Sequence, residues 1–368
     1  MRKWRLIDMG TARPFVAQTF YEAVAEAVDR GLSPNTIILV QPSDPYVCIG
    51  FHQEVEREID LEYCRSRGLP IIRRSQGGGA VYLDSNQLFY QVVAKDQNET
   101  IPTRVERLFE RLLKVTVYVY RRLGLPAKFK PLNDVIVNGR KISGNGASRL
   151  GNGTTILVGN IILDLDYDSM ASVLKVPSEK FRDKIAKNMK DWVTSLNREL
   201  GFVPSQDEVK TSLVEGYEKV LRIKLIESGI TEAERRIWED EIEPRHLSME
   251  WLYMPELRHK ELLEGRKVKI AEGIHVVETD HKAQKLIRIR AALRETRIID
   301  IMVTGDFFMV PEEALQDLEL RLKGVSLNKD EVLGRVRRFY ESSKVQTPGL
   351  TQEELAEAIM KLGEFAEI

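Results

Sequence analysis

Arg73-Arg74-Ser75-Gln76-Gly77-Gly78-Gly79-Ala80-Val81-Tyr82-Leu83-Asp84 is the most informative run in this 368-residue chain. Three successive glycines lack a Cβ, so a ligand can approach the main chain and meet backbone N–H groups. The two arginines just upstream suit a phosphate or a carboxylate, which a guanidinium can grip through two parallel hydrogen bonds. A flexible surface loop is the plainer alternative. Against it, the run passes directly into an apolar β segment, Ala80-Val81-Tyr82. The pattern is neither G-x-x-x-x-G-K-[ST] nor G-x-G-x-x-G, so any phosphate chemistry here is of another type.

A second run, Asn133-Asp134-Val135-Ile136-Val137-Asn138-Gly139-Arg140-Lys141-Ile142-Ser143-Gly144-Asn145-Gly146-Ala147, predicts a hairpin. Asn133-Asp134 opens a β segment, Asn138-Gly139 reverses it, and Lys141 begins the return strand. A carboxylate and an ammonium are thereby set on neighbouring strands. Asp134 suits Mg²⁺ on a triphosphate. Lys141 suits negative charge developing at an α-phosphate or a leaving phosphate. Taken alone, Lys141 reads as an exposed hairpin lysine.

The two runs in this order, R-R-x-x-G-G-G-A-V-x-x-D, then N-D, then G-R-K-x-S-G, closely resemble lipoate–protein ligases. Gly50-Phe51-His52-Gln53 resembles the G-x-x-Q element near the pocket of that family, and the likeness runs through about residues 1–250. Thr304-Gly305-Asp306-Phe307-Phe308, followed by Pro311-Glu312-Glu313, resembles the G-D-F-F motif of the ligase accessory domain. The resemblance implies an α+β fold. Its catalytic domain, 1–254 with a helical end at 203–254, would be of the type shared with biotin–protein ligases, with a mixed, largely antiparallel sheet. A smaller α+β accessory domain would follow at 255–368.

The implied activity is ATP-dependent ligation of lipoic acid, through lipoyl-AMP, to a lysine of an acceptor. That acceptor would be an H protein, a dehydrogenase E2 or another lipoate-binding protein. Carried onto this chain, Lys141 would be catalytic. Arg74, Ser75, Gly77, Gly78, Gly79, Val81, Leu83, Asn133, Asp134, Gly144 and Ala147 would hold substrate and nucleotide. Asp134 would also meet Mg²⁺, and Val47, Ile49 and His52 would line the acyl pocket. Three positions depart from the family pattern. Leu83 and Val158 stand where His is usual, and Gln76 where Ser is usual. They bear on the cargo more than on the fold.

Composition fits this reading. The chain is 43% hydrophobic and 30% charged, with a net charge of −1, so no global field recruits nucleic acid or an anionic membrane. No stretch approaches the roughly 18 apolar residues of a spanning helix, and the basic N-terminus lacks the apolar core of a signal peptide. A cytoplasmic protein is expected. The five histidines show no metal-ligand spacing. The basic run Arg335, Arg337, Arg338 and Lys344 reads as solvated surface rather than a nucleic-acid face.

Periodicity predicts a helix over 15–30 and another from Thr103, where Thr103 and Glu106 form a capping box. It also predicts capped helices at Ser205, Asn328 and Thr351, and a helix opened by Pro311. Strands are expected at 36–40, 46–49, 80–83, 88–94, 134–137, 141–143, 154–165, 273–279, 286–293 and 298–303, with a Gly151-Asn152-Gly153 turn before 154.

Two other functions compete. An octanoyltransferase or lipoyl-transferase of the same fold would need a Lys with a Cys, or a Cys nucleophile of lowered pKa. This chain has two cysteines, Cys48 in an apolar β run and Cys64 in a helix, and none follows Lys141. A non-catalytic lipoyl-protein binding module would keep the glycines and could dispense with Lys141.

Overall fold

The computed structural model describes residues 2–95, 100–151, 153–176, 178–264 and 273–365. Asn152, at the centre of the expected 151–153 turn, lies outside them. The backbone divides into two compact units. One comprises Met1–Cys48, Glu58–Arg74 and Val81–Ser248; the other comprises Ile49–Arg57, Ser75–Ala80 and Met249–Ile368.

The first unit is built on an eight-stranded sheet. Its strands are β1 (Arg2–Ala12), β2 (Thr36–Pro42), β6 (Gln87–Ala94), β7 (Lys128–Lys130), β8 (Asp134–Val137), β9 (Arg140–Arg149), β10 (Thr155–Ile162) and β11 (Ile223–Glu227). A small second sheet joins β3 (Tyr46–Ile49), β4 (Ile71–Arg73) and β5 (Val81–Leu83). The large sheet runs β11-β1-β2-β6-β10-β9-β8-β7. β1 lies parallel to both β11 and β2, and every later pair in it is antiparallel. The sheet is therefore mixed and largely antiparallel, as the sequence implies.

β2 and β6 are buried along their whole length because helices cover both faces. On one face, helix Pro14–Asp29 brings Phe20, Val24 and Val28 into a core with Ile38, Val93, Ile156 and Trp238. Pro14 opens that helix, where a missing N–H costs nothing. On the other face, helices Val105–Arg122 and Gln206–Leu221 pack together. A Cβ on Gly216 would come within 3.0 Å of Val115 Cγ1, so close approach of these two helices uses a glycine.

Two expectations need correction. The helix expected from Thr103 starts at Val105, with Arg104 as its cap residue and no side-chain cap. Thr103 therefore sits one position too early for its hydroxyl to meet the third helical N–H. Pro311 does not open a helix. The next helix starts at Ala314, and Val310 instead pairs with Gln346. β1, β7 and β11 went unread because their charged residues mask the alternation. Trp4 and Ile7 of β1 are nonetheless buried.

β1 carries a buried ion pair, Arg5 with Glu234, whose carboxylate also accepts from Ser33 Oγ (2.8 Å) and from the Thr231 N–H (2.8 Å). Burial alone would raise the Glu234 pKa, but bonds from Arg5, Thr231 and Ser33 outweigh it and hold it below the ordinary value. A lowered folded-state pKa contributes stability that is complete above the unfolded value. It is lost as pH falls through the folded value. Glu234→Gln should thus flatten the fall in melting temperature below about pH 4.3, the ordinary Glu pKa. An unchanged acid limb in pH-resolved thermal melts would assign that limb to other groups.

The second unit carries a three-stranded antiparallel meander, β12 (Ile274–Lys282), β13 (Leu286–Arg294) and β14 (Arg297–Gly305). Helices Ala314–Leu322, Lys329–Ser343 and Gln352–Met360 supply its core, where Ile289, Ile301 and Val303 meet Leu318, Phe339 and Ile359. The caps read at Asn328 and Thr351 form: Asn328 accepts two N–H bonds, and Thr351 and Glu354 cap reciprocally. Among the described residues, no helix is long and apolar enough to cross a membrane.

Candidate active site

Asn138 and Gly139 both have positive φ (50° and 81°), the geometry of a tight two-residue hairpin turn. The turn sets Val137 opposite Arg140 and Ile136 opposite Lys141. The next pair is Val135 with Ser143, so β9 holds one extra residue, Ile142, as a β-bulge. In a regular strand Lys141 and Ser143, two apart, would share a face. The bulge puts them on opposite faces. Ser143 is fully buried, whereas Lys141 keeps about a third of its side chain open, on the face of Asp134.

Lys141 Nζ lies 2.7 Å from Asp134 Oδ1. Both side chains are partly exposed, and such a pair contributes only about 0–1 kcal/mol to stability. Stability is therefore a poor reason for the pair, and its chemistry is the better one. A Cβ on Gly144 would come within 3.3 Å of Lys141 Cε, so the missing side chain leaves room for the lysine stem.

Beneath the hairpin lies a buried polar network. Tyr90 OH donates to Asn145 Oδ1 (2.5 Å) and accepts from Thr116 Oγ1 (2.6 Å). Asn145 and Asn133 bond reciprocally, each side-chain amide donating to the other's carbonyl (3.0 and 2.5 Å). Gly144 N–H donates to Asn160 Oδ1 (2.9 Å). Burial pushes the Tyr90 pKa up to about 12, against the pull of Ser143 and Thr116, so the phenol stays neutral and acts as a donor. Ala147 is buried further along β9, opposite Leu157.

Arg74 follows β4, and its guanidinium donates to Cys48 Sγ (3.5 Å). Val47 and Ile49 of the acyl-pocket expectation lie on β3 and are fully buried. Leu83 is buried with Tyr46 and Cys48 in a small core, and Val81 of β5, opposite Cys48 of β3, is exposed.

The glycine run falls in the second unit, where its partner is the G-D-F-F segment. Gly78, at φ 94°, donates its N–H to the Phe307 carbonyl (3.2 Å). A Cβ on Gly77 would collide with that carbonyl and come within 3.1 Å of Phe308 Cα. His52 stacks on Phe307 at 4.7 Å with an interplanar angle of 13°, and its carbonyl accepts from the Gly305 N–H (3.1 Å). The Phe51 N–H donates to the Gln76 carbonyl (2.9 Å), and Gln76 Nε2 donates to Ser75 Oγ (3.0 Å). Three motifs remote in sequence thus meet in one cluster. A Cβ on Gly79 would lie 3.9 Å from Asp306 Cβ, an ordinary contact.

Residues 13–218 match the lipoyl protein ligase A/B catalytic domain. The chain belongs to that family. Octanoyltransferase LipM of Halalkalibacterium halodurans is 30% identical over 275 residues, covering 68% of this chain and 99% of its own. A bipartite lipoate protein ligase of Thermoplasma acidophilum, described with its E2 lipoyl domain, is 31% identical. It covers 68% of this chain and 96% of its own, at a TM-score of 0.60. LipL1 of P. falciparum, solved with lipoate, shares the fold across 97% of this chain and 99% of its own, at 12% identity and a TM-score of 0.65.

In this lipoyl protein ligase A/B family member, Lys141, Asp134, Asn133, Gly144 and Ala147 share one hairpin of the first unit. Gly77, Gly78, Ser75 and His52 belong to the second. Arg74 and Val81, which flank the glycine run, remain with the first. Residue-by-residue reading overlooked Tyr90, Asn145, Asn160 and Glu199. Ser-Gly-Asn at 143–145 did carry a signal, since a strand rich in small polar residues needs buried partners.

Proposed function

We propose that the protein activates lipoate with ATP and then transfers the lipoyl group to a lysine of an acceptor domain. In the first step a lipoate carboxylate oxygen bonds the α-phosphorus, and the bond to the β-phosphate oxygen breaks, releasing pyrophosphate. In the second, the acceptor amine attacks the acyl carbon, loses a proton, and AMP departs with the electron pair of the broken acyl–oxygen bond.

Lys141 supplies the fixed positive charge in both steps, where negative charge gathers on the phosphate and the carbonyl oxygen. Gly144 leaves it room to swing from Asp134 to the substrate. Arg74, in the same unit as Lys141, holds phosphate. Among the described residues no three His, Cys, Asp or Glu side chains gather to hold a metal ion. A single Asp134 contact fits Mg²⁺ carried by nucleotide phosphates, where the ion screens their charge. The acceptor is an H protein, a dehydrogenase E2 lipoyl domain or another lipoate-binding protein.

One observation carries this reading over octanoyl transfer: both cysteines are shut in the core. Burial raises the Cys48 pKa despite the Arg74 guanidinium, and raises that of Cys64 to about 11. Neither thiol supplies the thiolate that a covalent acyl-enzyme needs. The likeness to LipM favours octanoyl transfer as the second reading.

The protein incubated with ATP, Mg²⁺ and lipoate, with no acceptor, should release pyrophosphate and form lipoyl-AMP. Cys48→Ala should do the same at a rate within about twofold, as expected away from the chemistry. Absence of pyrophosphate, with ATP-free transfer from octanoyl-carrier protein that Cys48→Ala abolishes, would establish the second reading instead.

A further inference from the structure

We infer that Glu199 is a positioning residue for the proposed acyl transfer: it clamps the hairpin that aims Lys141. This rests on the assignment of Lys141 made above. Glu199 lies on the short helix Leu196–Leu200, with its side chain 5% exposed. Its carboxylate accepts from Arg140 Nη2 (2.7 Å), Asn138 Nδ2 (2.8 Å) and Thr194 Oγ1 (2.6 Å).

These donors surround Lys141 along the chain and across the sheet edge. Asn138 is in the turn immediately before it, and Arg140 closes that turn. Thr194 reaches it from the other side, its N–H donating to the Lys141 carbonyl (2.8 Å), next to the Lys141–Val193 bridge. One carboxylate therefore ties the turn to the segment bonded to the lysine's own backbone. Burial alone would raise the Glu199 pKa, yet the bonds from Thr194, Arg140 and Asn138 outweigh it and leave it lowered, so the clamp is charged at neutral pH.

A stability role alone is the lesser reading. The anchored segment contains a bulge, and a bulged strand has a competing regular register in which the faces after Ile142 exchange. Holding the turn against the 193–199 segment selects the register in which Ser143 turns into the buried network while Lys141 stays on the open face. A displacement of about 1 Å at such a group costs up to about 100-fold in rate.

The test compares wild type, Glu199→Gln and Lys141→Ala, with the double variant. In lipoate-dependent ATP–pyrophosphate exchange, Glu199→Gln should lower kcat by about 10- to 100-fold, with KM for ATP and lipoate within about twofold. The double variant should be no slower than Lys141→Ala alone, because both act through one ammonium. If wild type gives no exchange, the ligase reading fails, and the same four proteins are compared in octanoyl transfer. Amide hydrogen exchange of residues 138–143 needs neither reaction. It should rise in Glu199→Gln while a distant core helix, 105–122, keeps its protection. Wild-type kcat in Glu199→Gln, a further loss in the double variant, or unchanged protection of 138–143 would each overturn the assignment.

Discussion

Lys141→Ala should lower the rate of lipoyl-AMP formation by about 10²–10³-fold, the usual cost of deleting one preorganised donor at developing negative charge. Transfer from preformed lipoyl-AMP to an apo E2 lipoyl domain should fall as well, since the same ammonium faces the carbonyl oxygen in that step. The fold should survive. The ammonium is partly exposed, and its ion pair with Asp134 adds about 0–1 kcal/mol, so melting should shift little. Lys141→Arg should not restore the rate, because a planar, forked guanidinium does not reproduce the compact charge of an ammonium. Pyrophosphate release and single-turnover transfer check the two steps separately. Activity near wild type in either would remove Lys141 from that step.

Gly159→Ala should be the most destabilising single methyl addition in the first unit, at about 2–4 kcal/mol. A Cβ there would overlap Asn145 Oδ1 and come within 2.5 Å of Tyr90 Cζ and OH. Neither neighbour can yield cheaply. Tyr90 is held by Thr116 and Asn145, and Asn145 is held by Asn133. Moving either one leaves buried polar groups unpaired, which adds to the overpacking cost. Denaturant unfolding measures the loss directly. Tyr90→Phe in the same background should recover part of it by relieving the contact at the phenol oxygen. A cost below about 0.5 kcal/mol, typical of surface changes, would mean that the network relaxes freely.

Much of this architecture is legible in the sequence, but only where information is local. Asn138-Gly139 announces a hairpin because its two positive φ angles suit few other residue pairs, and the structure has that hairpin. The Asp134–Lys141 juxtaposition follows from it. The bulge at Ile142 does not, since nothing in Lys-Ile-Ser-Gly distinguishes a bulged strand from a regular one. Its evidence is the pairing partner, Ser143 with Val135. Glu199 was invisible for the same reason. A single Glu in Leu-Asn-Arg-Glu-Leu reads as helix surface, and its meaning comes from donors brought to it by folding. Gln76, a departure from the family pattern, gains a plain account: it is fully buried and bonds Ser75 and Phe51.

The segments Ile49–Arg57 and Ser75–Ala80 are encoded early in the chain yet are part of the second unit's body. Thr304 Oγ1 donates to Glu54 (2.8 Å), and the Gly78 N–H donates to the Phe307 carbonyl (3.2 Å), within that body. A polypeptide severed between Ser248 and Met249 would thus not yield two self-sufficient fragments. The N-terminal fragment would carry two loops whose packing partners lie on the other piece, and the C-terminal fragment would lack part of its own interior. Fragment complementation then becomes a mass-action equilibrium. Ordering of the glycine loop would depend on the concentration of the other fragment, as the stability of any obligate assembly does.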